Sequence, residues 1–187
     1  MMKTFSIGGI HPSDKKISKD CKIEVLPLPS KVFVSMAQHL GAPATPVVKA
    51  GDIVKVGQVI AEPAGFISAF VHSPVSGTVK SVGPRKDLAG NNMVHVEIDV
   101  EGDEWAEGID ISSEIITSIP EDNKAILDKI KMNGVVGLGG ATFPTHVKLC
   151  PPPGKKADCL ILNGAECEPY LTSDYRIMLE RSKEIII

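Results

Sequence analysis

The chain has 187 residues, a net charge of -3, 43% hydrophobic and 23% charged residues, which suits one large globular domain or two small ones. Aromatic residues make up only 4%, and this scarcity together with the slight acidity argues against a nucleic-acid partner. No apolar run approaches the roughly 20 residues that a membrane helix needs, and the N-terminus lacks a signal-peptide core, so direct membrane insertion is not expected.

The first part of the chain, residues 1–118, is predicted to be a β-rich domain. Candidate strands cover residues 22–26, 31–36 and 94–100, and in the last of these valine and isoleucine alternate with polar residues. Short strands separated by glycine and proline at this spacing are typical of a small sandwich or barrel.

A more specific pattern lies inside this domain. The sequence V-x-x-G-D-x-V-x-x-G-Q-x-x-A at residues 48–61 contains turns at Gly51 and Gly57, and S-P-x-S-G-x-V follows at residues 73–79. The pair resembles the biotinyl/lipoyl carrier fold, a barrel-sandwich hybrid. A carrier presents a modified lysine on the intervening hairpin, but residues 62–72 contain no lysine, so the resemblance implies the shape without the carrier chemistry.

The pattern changes near Ile119. A helix is predicted to begin close to Pro120 and to stop at Gly134, with Ile126, Leu127 and Ile130 on one face.

A short helix opened by residues 142–145 should end at the prolines 151–153, and residues 159–162 form an apolar run typical of a strand buried on both faces. A further helix is predicted near residues 174–181. Helix, strand and helix in this order indicate that residues 119–187 begin an α/β, Rossmann-like domain. Because three isoleucines follow Glu184 where the chain stops, we expect a truncated piece of a longer protein.

Four cysteines are present, but no C-x-x-C spacing occurs, so no metal or cluster site is predicted from them. We expect free thiols, some of them buried: Cys21, Cys150, Cys159 and Cys167. The histidines show no pair at metal-ligand spacing, and a surface position is expected for His146.

The strongest chemical feature is the glycine loop, residues 137–145, with the sequence G-L-G-G-A-T-F-P-T. Glycines let a backbone approach a ligand closely, and their N–H groups can point at a phosphate, aided by the N-terminus of the following helix. Taken alone, however, a G-x-G-G sequence fits a plain tight turn at least as well.

A second polar stretch directly follows the predicted strand and contains Asn163, Glu166 and Glu168. Ligands of open α/β sheets lie beyond the carboxyl ends of strands, where these side chains could hydrogen-bond ribose hydroxyls or an amide. The alternative is an ordinary loop with solvated acids.

Together, G-L-G-G-A-T-F-P-T-x-x-K-L and N-G-A-E-C-E-P-Y-L-T-x-D-x-R resemble the C subunit of the Rnf electron transport complex. They are more distantly similar to the FMN- and NADH-binding subunit of respiratory complex I. The opening G-G-I-H-P at residues 8–12 and the lysine-less carrier pattern also resemble the Rnf protein, so the resemblance covers essentially the whole chain.

The resemblance implies electron transfer between NADH and iron–sulfur carriers through FMN, with ferredoxin reached indirectly through the other subunits of a membrane complex that moves Na⁺ or H⁺. It implies a peripheral position on the cytoplasmic face of the bacterial inner membrane. The cluster-binding cysteine runs of the family are absent here, so this chain alone is expected to hold no cluster. Because the rest of the nucleotide fold is missing as well, these 187 residues are expected to bind flavin weakly or not at all.

The resemblance also implies roles for eight residues. The loop glycines would lie along FMN, Lys148 would stabilise phosphate or a reduced ring, and Asn163 would contact the flavin. Both acids would lie on the flavin and nicotinamide side, and Phe143 would pack near the nucleotide or in the core. The full set is Gly137, Gly139, Gly140, Phe143, Lys148, Asn163, Glu166 and Glu168.

Two departures from the complex I pattern are Leu138, where an arginine would stand, and Ala165, where an aspartate would stand. They remove two polar contacts, so flavin geometry need not copy that of complex I. Two alternatives stay open: a non-catalytic docking or assembly module, and the A subunit of sodium-pumping NADH:quinone reductase.

Overall fold

The structure, a computed structural model, describes residues 13–87 and 89–186. These residues form two compact units: a larger one, Leu26–Asp158, and a smaller one that combines residues 13–25 with residues 159–186. The G-G-I-H-P motif at residues 8–12 lies outside the described residues. The domain boundary after residue 118 stays a prediction. None of the helices in the described ranges is long and apolar enough to cross a membrane.

The larger unit begins with two antiparallel sheets, one of four strands in the order β1-β7-β6-β3 and one of three strands in the order β2-β4-β5. The strands are β1 Lys31–Ser35, β2 Thr45–Pro46, β3 Ile53–Val54, β4 Val59–Glu62, β5 Val71–His72, β6 Ser76–Lys86 and β7 Asn92–Gly102. The predicted strands at residues 31–36 and 94–100 are therefore confirmed.

The alternation in β7 sets the core face of the first sheet. Val96 and Ile98 are fully buried, and β1 places Val34 opposite Val96. On the other side, β6 places Val79 opposite Ile98 and Val82 opposite Val96. Two residues of a regular strand that are three apart face opposite sides, but an irregularity between Val79 and Ser81 shifts the register and brings both valines to the core.

Both sheets contribute to one hydrophobic core. Its members come from the strands and from the loops that join them, and burying this apolar surface is the main stabilising contribution to the unit. They are Val34, Met36, Ala44, Val54, Ile60, Ala61, Val71, Val75, Val79, Val96 and Ile98.

The turns expected from the carrier pattern are present. Gly51 and Gly57 have φ values of +90° and +79°, which favour glycine. The strand predicted at residues 22–26 is wrong: the Ile23 N–H group donates to the Glu180 carboxylate at 3.1 Å, and the described residues offer it no neighbouring strand.

Two helices complete the larger unit, α1 Asn123–Met132 and α2 Thr145–Lys148. The first begins three residues after Pro120, because the side chain of Asp122 accepts a hydrogen bond from the Lys124 N–H group and caps it. As predicted, the chain leaves the helix at Gly134, whose φ of +63° favours glycine.

The smaller unit contains α3 Ser173–Glu180, close to its predicted range, and α4 Ser182–Ile186. The buried strand predicted at residues 159–162 is wrong: Leu160, Ile161 and Leu162 are 74%, 82% and 66% exposed. A strand buried on both faces needs partner strands and covering helices, and no strand in the described ranges pairs with this run. The expectation that some cysteines are buried is also wrong, since all four are exposed.

Candidate functional site

The glycine loop, residues 137–145, is a turn closed at its base. The Gly137 N–H group donates to the Phe143 carbonyl at 3.1 Å, and the Thr145 N–H group donates to the Val135 carbonyl at 3.0 Å. These bonds hold the two ends of the loop together, so residues 138–142 form a closed turn between them.

The tip of the loop has an open face. A Cβ atom added to Gly139 or Gly140 would meet no atom within 4 Å. Within the part of the chain that the structure describes, the N–H groups of Gly140 and Ala141 have no acceptor. Thr142 has a φ of +51°, which is uncommon outside glycine and marks a constrained turn. Unpaired N–H groups on an open loop can bind an anion.

Lys148 brings a positive charge to this loop. Its Nζ atom lies 2.9 Å from the point where a Cβ atom on Gly137 would stand, so the missing side chain makes room for the ammonium group. Lys148 forms no ion pair with any described carboxylate. The helix that carries it, α2, has only four residues, so the lysine rather than the helix dipole supplies most of the positive potential.

Two side chains of the loop, those of Phe143 and Leu138, differ in their exposure. Phe143 is half-buried and Leu138 is 87% exposed.

The surface position expected for His146 is wrong: the ring is buried, and its Nδ1 atom has no hydrogen-bond partner among the described residues. Burial, followed by the nearby charge of Lys131, lowers the pKa of His146 below its ordinary value.

The lysine-less hairpin at residues 62–72 supports the entry to the loop. A Cβ atom at Gly134 would lie 2.3 Å from the Phe70 carbonyl oxygen, so the two backbones are in direct contact. The same Cβ atom would lie 3.3 Å from the Nδ1 atom of His72, so this ring packs against Gly134, just beyond the end of α1. The segment that a carrier protein would use to present its cofactor is therefore packed here against the start of the glycine loop.

A second support comes from the segment after β1. The Leu40 N–H group donates to the Thr142 carbonyl at 3.2 Å. His39, next to it, is buried, and its Nε2 atom accepts from the Ala69 N–H group at 3.2 Å. This histidine ties the segment to the hairpin, and both contact the glycine loop or its entry.

The second candidate stretch, in the smaller unit, is an irregular loop. The Asn163 side-chain oxygen accepts from the Ala165 N–H group at 2.9 Å, so its amide organises the turn. Glu168 is exposed, and its carboxylate has no hydrogen bond or ion pair within the described ranges.

Glu166 is held firmly. The Lys16 ammonium donates to its Oε2 atom at 2.7 Å, and the Tyr175 N–H group at the start of α3 donates to Oε1 at 3.3 Å. The bond from Lys16, followed by the backbone donors of α3, lowers the pKa of Glu166. Sequence reasoning missed Lys16, because a contact across 150 residues leaves no local pattern.

The eight candidates thus divide between the two units. The loop glycines, Phe143 and Lys148 belong to the larger unit, and Asn163, Glu166 and Glu168 belong to the smaller one. Their union in one nucleotide site stays a prediction. No group of three potential metal ligands occurs among the described residues.

Two family models match the chain, and they define its class as a barrel-sandwich hybrid domain followed by a flavin-binding domain. Residues 3–103 match the RnfC barrel sandwich hybrid domain, and residues 130–187 match the Nuo51 FMN-binding domain. The first match covers more than half of the sequence, and the chain belongs to the RnfC family. The predicted fold class is confirmed, and the A-subunit alternative is set aside.

Curated relatives agree with this assignment. The chain is 48% identical over its whole length to the C subunit of the proton-translocating ferredoxin:NAD(+) oxidoreductase complex of Clostridium ljungdahlii. It is 43% identical over 96% of its length to the C subunit of the Na(+)-translocating complex of Acetobacterium woodii. The C subunit of an ion-translocating oxidoreductase complex of Rhodobacter capsulatus is 41% identical over 98% of the chain. The chain spans 40% of the length of the first two relatives and 36% of the third.

Proposed function

We propose that this chain belongs to the C subunit of an Rnf-type ion-translocating ferredoxin:NAD oxidoreductase, in which it contributes to an FMN site that exchanges electrons with NADH. The protein would lie peripherally on the cytoplasmic face of the membrane and contact the other subunits of the complex. The iron–sulfur clusters that continue the electron path would be bound outside these 187 residues. The domain boundary near residue 118 is part of the same proposal.

One observation carries the proposal. The Lys148 ammonium group lies against Gly137, without a carboxylate partner among the described residues, and the N–H groups of Gly140 and Ala141 in the same loop have no acceptor within the described ranges. An unpaired cation and unpaired N–H groups fit a phosphate or an electron-rich ring. A plain tight turn would need neither the open face nor the lysine folded onto it.

The chemistry divides between the cofactor and the chain. FMN, when bound, would supply the conversion between two-electron hydride transfer and single-electron steps. The glycine loop and Lys148 would bind and orient it, and Lys148 would favour negative charge near it. Asn163 and one of the acids of the second stretch, Glu166 or Glu168, would hydrogen-bond the flavin or the nicotinamide nucleotide.

In this proposal, the barrel-sandwich domain supports the glycine loop. Its hairpin contacts Gly134 through Phe70, and Leu40 holds the Thr142 carbonyl. These contacts support the interpretation that the barrel-sandwich domain positions the glycine loop. Docking of other subunits by the same domain, the assembly alternative, stays a prediction.

The test is a flavin titration of the full-length protein that carries Lys148→Met. Loss of one charge-assisted contact to a phosphate costs about 1.5–3 kcal/mol, so the dissociation constant for FMN should rise roughly 10- to 150-fold. The matched control is Lys129→Met, an exposed lysine on α1, which should bind FMN as the wild type does. FMN fluorescence quenching measures both.

Addition of NADH to the FMN-loaded wild type should bleach the flavin absorbance. A wild-type protein that neither binds FMN nor is bleached by NADH would refute the proposal. Equal losses in the Lys148 and Lys129 variants would refute the specific role of Lys148.

A further inference from the structure

Within the smaller unit, the N-terminal segment at residues 13–25 lies on the loop and helix that carry the second candidate stretch. The Ser18 and Thr172 hydroxyl groups are 2.7 Å apart. Arg176 donates to the Lys19 carbonyl at 3.1 Å, and the Ile23 N–H group donates to Glu180 at 3.1 Å. We call residues 16–23 the N-terminal strap.

Lys16 is the central contact of the strap. Its ammonium group donates to Glu166 at 2.7 Å and to the Leu171 carbonyl at 2.5 Å. An ammonium group has three donors, so these two bonds can form together. These two bonds join the two ends of the 166–171 loop. The Glu166 side chain that takes part in them is only 9% exposed.

The start of α3 depends on the same carboxylate. Thr172, at the N-cap position, makes no side-chain hydrogen bond to the helix, and its buried hydroxyl is paired with Ser18. The Glu166 Oε1 atom accepts from Tyr175 in its place. One oxygen of Glu166 is therefore bound to the helix start and the other to Lys16, whereas the Glu168 carboxylate is exposed and has no partner within the described ranges.

We propose that Lys16 is a positioning residue for the nucleotide site: it fixes Glu166 against α3, orders the loop, and leaves Glu168 as the acid that hydrogen-bonds the nucleotide. This inference rests on the proposed function. The physical reason is that Lys16 binds one oxygen of Glu166 while the Tyr175 N–H group binds the other, so the carboxylate ties the 166–171 loop to the start of α3. A ligand is then oriented by groups that do not reorganise on binding.

The first arm of the test measures NADH oxidation by the FMN-loaded, full-length protein with ferricyanide as the electron acceptor. We expect Lys16→Met to raise the KM for NADH about tenfold while kcat changes far less, since a positioning defect weakens binding first. Lys16→Arg should restore the wild-type KM, because a guanidinium can donate to both acceptors. Lys15→Met, an exposed neighbour, is the matched control and should leave both constants unchanged.

Variants of the two acids distinguish the role of Glu166 from that of Glu168. Glu168→Gln should raise the KM for NADH in the wild type and by the same factor in Lys16→Met, because the two residues act separately. Glu166→Gln combined with Lys16→Met should be no worse than the poorer single variant, because the two residues act through one contact. Strict additivity of the Lys16 and Glu166 effects would overturn the inference.

The second arm follows the Glu166 carboxyl carbon by NMR as a function of pH. The pKa of Glu166 should stay low in the wild type and in Lys15→Met and should rise in Lys16→Met. An unchanged titration or an unchanged KM in Lys16→Met overturns the inference in a protein that oxidises NADH. If the wild type itself fails to bind FMN or oxidise NADH, the proposed function fails and the nucleotide role of Lys16 fails with it.

Discussion

At Gly77 the backbones of β6 and β7 come so close that no side chain fits between them. A Cβ atom there would lie 2.1 Å from the Asp99 carbonyl oxygen, well inside van der Waals contact. Gly83, on the same strand, is different, since an added Cβ atom would meet nothing within 4 Å. The glycine of the S-P-x-S-G-x-V pattern is thus a requirement of packing, whereas Gly83 is replaceable.

These two glycines make a matched pair for a stability experiment. Gly77→Ala should lower the free energy of unfolding by about 1–3 kcal/mol, because either β6 or β7 must shift to relieve the clash. Gly83→Ala should change it by less than about 0.5 kcal/mol. Urea unfolding followed by circular dichroism measures both, and equal midpoints for the two variants would contradict the packing argument.

At the scale of elements, the β domain packs against the entry to the glycine loop at the end of α1, and we call this region the joint. His72 on β5 and His146 on α2 both lie at this joint, and the pKa of each is lowered, chiefly by burial. The Nδ1 atom of His72 lies 3.3 Å from the position of a Cβ atom on Gly134, and the charge of Lys131 further lowers the pKa of His146. Protonation of either ring would place a charge in a poorly solvated position, so the joint favours the neutral form.

This burial predicts how stability depends on pH. A histidine whose folded pKa lies below its unfolded value of about 6.5 binds a proton more readily in the unfolded chain. The full stability is therefore present above that pH and decreases as the pH falls through the window between the unfolded and folded pKa values. Each histidine can contribute at most about 1.4 kcal/mol per pH unit to the slope.

Unfolding of this chain in urea at several pH values between 7.5 and 5 measures that slope. The variant His72→Gln/His146→Gln should lose less stability than the wild type as the pH is lowered, because glutamine does not titrate. A wild type that becomes more stable on acidification, or a double variant with the same slope, would contradict the assignment to these two rings.

At the scale of the whole molecule, local patterns predict the β domain well and the second unit poorly. The alternation around Val96 is a property of neighbouring residues, and a strand follows from it wherever a sheet can form. The run at residues 159–162 is equally apolar, but its burial depends on partner strands that no local pattern reports. The shifted register after Val79 likewise depends on pairing with β7.

The candidate site also contains some features that local sequence patterns predict and others that they do not. The glycine loop could be predicted because glycine is required where a backbone turns sharply or approaches another group. That Lys148 folds onto Gly137 could not be derived from spacing alone, since a lysine side chain has many accessible conformations. Lys16 was missed for a stronger reason, because the pair it forms with Glu166 connects residues that are 150 positions apart.

A single nucleotide site requires the two candidate stretches to act on one ligand, although they belong to different units. We predict that FMN slows amide hydrogen exchange in the full-length protein at residues 137–143 and at residues 163–168 together. The effect on both should follow one saturation curve, because one binding event orders both segments. Exchange followed by mass spectrometry, with the exposed residues 89–91 as an internal control, measures it. Protection confined to one stretch would mean that the other serves a different purpose.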